Sequence, residues 1–221
     1  MSDAGSLDDF LSQFSDKVHK SDRKLAKIVR EAYPIGVPAL IMKSGTDRIG
    51  ESAGYSFYLG TPDDLLRSLA SWLLSFAGER QSTLLRLIKR LWKRHGREDI
   101  ALSSLLLANL DHKNLDINPW EFLTSIVNKT EPLDAILLIV EELFRAKKDI
   151  PSNEIFEKWC FGRRIEGHLA IICAFNMIKS NHKISDDIIS KLSSIPVNRG
   201  DSILSRLKDE VTLKKNNQDV V

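Results

Sequence analysis

The sequence of 221 residues contains little of what a secreted, membrane-spanning or metal-binding protein needs. Only two cysteines occur, Cys160 and Cys173, and no CxxC or HExxH spacing accompanies them. No apolar run approaches the roughly 18 residues of a membrane span. Residues 1–14 are acidic and lack the basic and apolar regions of a secretory signal. We therefore expect a reduced, cytoplasmic protein with no membrane segment, no metal and no cofactor.

The common catalytic motifs are also missing. The chain has neither a Gly-rich phosphate loop nor a GxSxG nucleophile elbow. Acidic residues occur as adjacent pairs, such as Asp63-Asp64 and Glu141-Glu142. Adjacent side chains on a helix diverge by about 100°, so such a pair does not form a catalytic site by itself. Motifs alone therefore identify no enzyme class.

What the sequence does contain is helical periodicity. Apolar residues recur at three- and four-residue spacing over most of the chain, as in 65–76, 84–92 and 133–144. This spacing is typical of amphipathic helices. Sustained two-residue alternation is absent, and only Tyr55–Leu59, between two glycines, resembles a short strand. The sequence therefore predicts an all-α fold.

Capping residues and prolines mark several helix starts, as at Thr61-Pro62 and Asn118-Pro119. The segment Pro34–Gly60 is Gly-rich and is expected to be irregular, and residues 215–221 are expected to fray. We predict ten or eleven helices near Leu7–Lys20, Ser21–Tyr33, Thr61–Ala77, Arg80–His95, Glu98–Leu110, Pro119–Asn128, Pro132–Lys147, Ser152–Phe161, Ile165–Lys179, Asp186–Ser194 and Arg199–Lys214.

The short loops between these helices require successive helices to pack antiparallel. From Thr61 onward the helix pairs recur at about forty residues, which is the spacing of HEAT-like repeats. We therefore predict one domain, 1–221, in which residues 61–214 form HEAT-like pairs stacked into a curved α–α superhelix. An irregular helical bundle is the alternative, because the units share little sequence.

A cationic stripe is the first candidate binding surface. Most of its side chains recur at three- and four-residue steps, opposite the apolar face, and no acid interrupts them before Glu98. A solvated helix surface and an anionic partner explain such a stripe equally well. The stripe comprises Arg86, Lys89, Arg90, Lys93, Arg94 and Arg97.

A second candidate surface lies near the helix start at Ile165. Arg163 and Arg164 precede this start, where guanidinium groups and backbone N–H donors could together hold a phosphate. The alternative is a solvated loop. His168 is a core or groove histidine without a second metal ligand at helical spacing. Trp159 belongs to an apolar stripe, which favours core packing, but its closeness to Arg163 makes it a candidate groove residue.

Several segments between Tyr55 and Lys179 resemble one known family. They are Tyr55-Ser56-Phe57-Tyr58-Leu59-Gly60-Thr61-Pro62, the Leu91-Trp92 pair before Ala101–Leu110, Lys129-Thr130-Glu131-Pro132-Leu133-Asp134, and Lys158-Trp159 before Leu169–Phe175. Together they resemble the AlkD-type DNA alkylation repair glycosylases. The resemblance implies a HEAT-like superhelix whose basic concave face holds duplex DNA. It further implies hydrolysis of the N-glycosidic bond of alkylated purines.

In that family an aspartate stabilises the positive charge that develops on the sugar, and tryptophans contact the damaged nucleotide. The resemblance assigns the aspartate role to Asp134, which a first-turn carboxylate serving its own helix would also explain. Glu131-Pro132-Leu133 stands where the family has two tryptophans, and His168-Leu169 stands where it has an arginine. We therefore expect DNA binding with weak or absent base excision. A noncatalytic scaffold that binds a protein partner on its concave face is the alternative.

Overall fold

The structure, a computed structural model, describes residues 3–45, 53–78, 81–198 and 200–218. Within these ranges it contains twelve α-helices, one 3₁₀ helix and no strand, which confirms the predicted all-α class. None of these helices has both the length and the apolar character of a membrane span. The helices are α1 (Asp3–Leu11), the 3₁₀ helix (Asp16–Lys20), α2 (Asp22–Ala32), α3 (Ala39–Gly45), α4 (Asp63–Ala77), α5 (Ser82–Arg94), α6 (Arg97–Asn109), α7 (Pro119–Ile126), α8 (Leu133–Arg145), α9 (Asn153–Cys160), α10 (Arg164–Lys179), α11 (Asp186–Ser194) and α12 (Ser202–Gln218).

The predicted helix Leu7–Lys20 is wrong, because α1 ends at Leu11 and a 3₁₀ helix follows after a turn. Short polar side chains explain the break. Ser12 Oγ donates to the carbonyl oxygen of Asp9 at 2.9 Å, and Ser15 adopts an extended conformation ahead of the 3₁₀ helix. Such side chains hydrogen-bond the local backbone and compete with a continuing helix.

Two further segments depart from prediction. The stretch Pro34–Gly60 contains a short helix, α3, and its residues 46–52 lie outside the described part of the chain. Tyr55–Leu59 forms no strand, which agrees with the all-α prediction, and its backbone contacts include the hydrogen bond from Ser56 N–H to the His95 carbonyl at 2.9 Å. The last helix continues to Gln218, beyond the predicted start of fraying at residue 215, whereas the predicted starts Arg80 and Arg199 lie outside the described residues.

The chain forms two compact units, Met1–Pro119 (unit 1) and Trp120–Val221 (unit 2). In unit 1, helix α6 is the centre of the core and packs against α4 and α5. Its residues from Glu98 to Ala108 are all buried, as expected of a helix surrounded by others. Helix α2 packs on α5, and α1 and the 3₁₀ helix pack on α4.

Unit 2 repeats this plan around α10, which packs against α8, α9 and α12, while α11 packs on α9 and α12. The run Leu169–Ala174 is fully buried. Gly167 allows the close approach of Ile195, since a Cβ at this glycine would lie 2.9 Å from the Ile195 side chain. Both units are helix-on-helix layers. The single domain and the continuous superhelix stay predictions.

Candidate nucleic-acid interface

Helices α2 and α5 of unit 1 border an open groove of about 1070 Å³. Eight cationic side chains and two carboxylates line it, which leaves a formal excess of six positive charges. Both helices turn polar residues toward it because their other faces are apolar and lie in the core. The charged lining residues are Asp22, Arg23, Lys27, Arg30 and Glu31 from α2, and Arg86, Lys89, Arg90, Lys93 and Arg94 from α5.

The predicted stripe therefore lies in a groove, but it is not unopposed as its sequence suggests. Asp22, the first residue of α2, accepts a hydrogen bond from Arg90 Nε at 2.8 Å, and its other oxygen lies 3.9 Å from Arg86 Nε. The hydrogen bond from Arg90 is the main reason that the pKa of Asp22 is lowered. The opposing acid comes from a helix distant in sequence, so the local pattern could not show it.

Arg94 also lines the groove, but its guanidinium group bonds to the interior of unit 1. It donates to both carboxylate oxygens of Asp99, at 2.6 and 2.5 Å, and to the Ala26 carbonyl at 2.8 Å. The Tyr33 hydroxyl donates to the same carboxylate at 2.9 Å. Asp99 is fully buried, so Arg94 serves as the counter-ion of a core carboxylate.

Tyr33 completes this buried cluster as a protonated phenol. Burial, reinforced by the Asp99 carboxylate, raises the pKa of Tyr33 well above its ordinary value. Arg97, which the sequence placed in the same stripe, begins a different helix. Its guanidinium group lies 4.0 Å from Asp63 at the start of α4. The break occurs at His95, whose left-handed φ of 62° ends α5.

The Tyr55–Pro62 motif, which contributes to the family resemblance, is hydrogen-bonded through its backbone to the carboxylate of Glu98. Glu98 Oε1 accepts from the backbone N–H groups of Leu59 at 2.8 Å, Gly60 at 3.0 Å and Thr61 at 3.4 Å. Glu98 is buried, and these bonds satisfy a loop that has no strand partner. These contacts give the Tyr55–Pro62 segment a structural role, because they fix the loop that leads into α4.

Phe57 anchors the same loop through its ring. The ring packs on Gly96, where a Cβ atom would lie 1.9 Å from it, so only glycine fits this position. The Arg30 guanidinium group lies over the Phe57 ring, 3.7 Å from the ring centroid. Arg30 also lines the groove, so its side chain contacts both the groove and the Phe57 loop.

In unit 2, Arg163 has a structural role. Its Nη2 donates to the Thr124 carbonyl at 2.8 Å, near the end of α7, and its Nε donates to Glu166 Oε1 at 2.9 Å. Glu166 Oε2 in turn accepts from the Arg163 backbone N–H at 2.7 Å, which is the glutamate half of a capping box at the start of α10. The predicted phosphate contact of Arg163 would have to break these bonds. Arg164 is exposed at the first position of α10.

Trp159 is a core residue, as its position on an apolar stripe predicts. Its ring is 2% exposed and meets Trp120 edge-on at 6.1 Å between centroids. Its Nε1–H donates to Thr124 Oγ1 at 2.9 Å. One edge also lines a cavity of about 440 Å³ with Lys158 and Arg163. The contact with Trp120 and the hydrogen bond to Thr124 fix the Trp159 ring in the core.

His168 and Asp134 are the remaining predicted site residues of unit 2. His168 is half-buried on α10; burial lowers its pKa, Arg164 lowers it further, and Asp201 acts in the opposite direction. Asp134 is exposed in the first turn of α8. No group of three or more His, Cys, Asp or Glu side chains in the described ranges could hold a metal ion.

The α2 side of the groove was not found from the sequence. Arg23, Lys27 and Arg30 recur at four- and three-residue steps on the polar face of α2, so the signal existed. It was missed because α2 and α5 are about sixty residues apart, and no local pattern shows that they pack together.

Comparisons of the chain with protein-family models, with curated proteins and with solved structures found no match. The resemblance to AlkD-type glycosylases therefore stays a prediction.

Proposed function

We propose that this protein binds duplex DNA, with the phosphodiester backbone lying in the α2–α5 groove of unit 1. The observation that carries the proposal is the groove itself, with eight cationic side chains against two carboxylates in about 1070 Å³. Concentrated positive charge in a concave surface attracts a polyanion and raises its association rate. A basic groove favours nucleic acid over the alternative of a protein-binding scaffold, which an apolar or acidic groove would support.

The size of the two cationic rows fits a phosphate backbone. Arg23 and Arg30 on α2 are seven residues apart, as are Arg86 and Lys93 on α5. At 1.5 Å per residue each row is about 10 Å long. Successive phosphates of one DNA strand rise about 3.4 Å along the duplex axis and are farther apart along the winding strand, so each row is long enough to contact at least two of them.

The chemistry of the lining favours contacts with phosphates over contacts with bases. Among the described residues that line the groove there is no aromatic ring for base stacking, and no Asn or Gln for reading base edges. We therefore expect binding that is largely independent of sequence, prefers duplexes to single strands, and weakens steeply with salt.

The proposal is for binding, without base excision. Trp159 is enclosed in the core of unit 2, and Glu131-Pro132-Leu133 supplies no tryptophan beside Asp134. Asp134 matches the aspartate of the family that the sequence resembles, but its exposure in a first helical turn suits a carboxylate that serves the helix.

The test is a salt titration of duplex binding, measured by fluorescence anisotropy with a labelled duplex. We expect the logarithm of the association constant to fall linearly with the logarithm of salt concentration, by about 0.9 per phosphate contact. The double variant Lys89→Ala, Lys93→Ala should bind more weakly, with a slope shallower by about 1.8, because two contacts are lost. Arg94 is left intact because it supports the core.

The matched control is Lys43→Ala, Lys113→Ala, which removes the same charge from exposed residues of unit 1 that do not line the groove. This control should leave the slope unchanged. Equal losses in the two double variants would show a general charge effect and would exclude the groove. A parent protein that binds no duplex at low salt would exclude the function.

A further inference from the structure

Asp22 is placed where the groove would be expected to receive an anion. It begins α2, so its carboxylate lies at a helix N-terminus, where the Ser21 side chain accepts from the Lys24 N–H at 3.4 Å. Arg90 donates to one of its oxygens at 2.8 Å, and Arg86 lies 3.9 Å from the other. Two guanidinium groups and a helix N-terminus are the donors that commonly bind phosphate in proteins.

The contact is open to exchange. The Arg86 and Arg90 side chains are 55% and 41% exposed, and both line the groove. The Asp22 side chain is 18% exposed, so the pairs are shielded on the carboxylate side only, and breaking them costs less than breaking a fully buried pair. Arg94, by contrast, is tied to a fully buried carboxylate and cannot be released without loss to the core.

We propose, resting on the proposed DNA binding of the groove, that Asp22 occupies the position of a backbone phosphate and competes with the DNA for Arg86 and Arg90, so that both arginines stay largely paired with Asp22 in the complex. Asp22 is then an internal competitor that lowers the affinity of the groove. The other reading is that Asp22 holds Arg90 in a productive position. The two readings predict opposite changes when the carboxylate is neutralised.

The experiment compares Asp22→Asn with the parent and with Asp8→Asn in the same duplex salt titration. Asp8 is an exposed acid on α1 of the same unit, so its replacement removes equal charge away from the groove lining. We expect Asp22→Asn to bind about tenfold more tightly at low salt, with a slope steeper by up to about 1.8 as two arginines gain phosphate contacts. Asp8→Asn should change the slope little.

Replacement of Arg90 provides a second measurement. With Asp22 present, Arg90→Ala should weaken binding only slightly, because the guanidinium group is already occupied. In the Asp22→Asn background the same replacement should weaken it about tenfold, since Arg90 then contributes a phosphate contact. Binding of Asp22→Asn that equals or falls below that of the parent would overturn the inference, as would an equal gain in Asp8→Asn.

A parent protein that binds no duplex would remove the proposed function, but the inference can still be tested. The probe is then inorganic tripolyphosphate, and the readout is the thermal unfolding midpoint. Tripolyphosphate should raise the midpoint of Asp22→Asn more than that of the parent or of Asp8→Asn. Equal rises would overturn the inference. Asp22→Ser, which also lacks the carboxylate and suits a helix start, replaces Asp22→Asn if the latter folds poorly.

Discussion

Replacing Arg94 by alanine should destabilise the protein severely, although sequence alone places this residue among the DNA contacts. The change removes both hydrogen bonds that Arg94 makes to Asp99, and leaves a fully buried carboxylate that still accepts from the Tyr33 hydroxyl. Removing one partner of a buried ion pair typically costs about 3–5 kcal/mol. Loss of the bond to the Ala26 carbonyl, which ties α5 to α2, adds to this cost.

The assay is urea unfolding of the full chain followed by far-ultraviolet circular dichroism. Lys93→Ala is the matched control, because Lys93 is the preceding residue and is exposed in the groove. It should change the free energy of unfolding by less than about 0.5 kcal/mol. Asp99→Asn combined with Arg94→Ala should recover part of the loss, since no buried charge remains uncompensated. A loss below about 1 kcal/mol for Arg94→Ala alone would refute the reasoning.

Two further predictions concern His19 and Asp134. Burial lowers the pKa of His19, against an opposing effect of Asp16, so the unfolded chain takes up a proton before the folded one does. The free energy of unfolding should therefore fall as the pH is lowered through the ordinary histidine pKa of about 6.5. In urea unfolding at several pH values, His19→Phe should lose part of this pH dependence. An unchanged dependence would contradict the assignment to His19. Asp134→Asn should alter the free energy of unfolding by less than about 1 kcal/mol. Any release of alkylated purine by the parent should fall about a hundredfold in this variant, whereas release that survives the change would exclude Asp134 from the chemistry.

The helical class was predictable because periodicity is a local property. The apolar positions of α5 and α8 repeat at helical spacing, and serines at the starts of α2, α9 and α11 accept a hydrogen bond from the backbone three residues on. Errors and omissions fall where the determining contact is not local. Helix α3 lies between segments rich in glycine and proline, and Tyr55–Leu59 takes its form from Glu98, about forty residues later.

The candidate site was predictable only in part, for the same reason. The α5 row of cations could be read from one helix, and four of its members, Arg86, Lys89, Arg90 and Lys93, line the groove together with Arg94. The α2 row, and the carboxylate of Asp22 that pairs with Arg90, depend on how α2 packs against α5. Likewise, the bonds that commit Arg163 to the end of α7 join residues almost forty positions apart.

Lys93 and Arg94 show why charge in the sequence does not by itself identify a binding residue. They are adjacent, and successive side chains on a helix diverge by about 100°, so Lys93 faces solvent in the groove while Arg94 reaches the core. The turn at His95 then starts α6 so that Asp99 comes within hydrogen-bonding distance of Arg94. A buried carboxylate at that point requires a cation, and Arg94 supplies one that also borders the groove. The positive charge available to a ligand is therefore smaller than the number of cationic residues, because Arg94 is neutralised by Asp99 and Arg90 by Asp22. The Arg90–Asp22 pair is the more exposed of the two ion pairs, and it is therefore the one that can exchange with a phosphate.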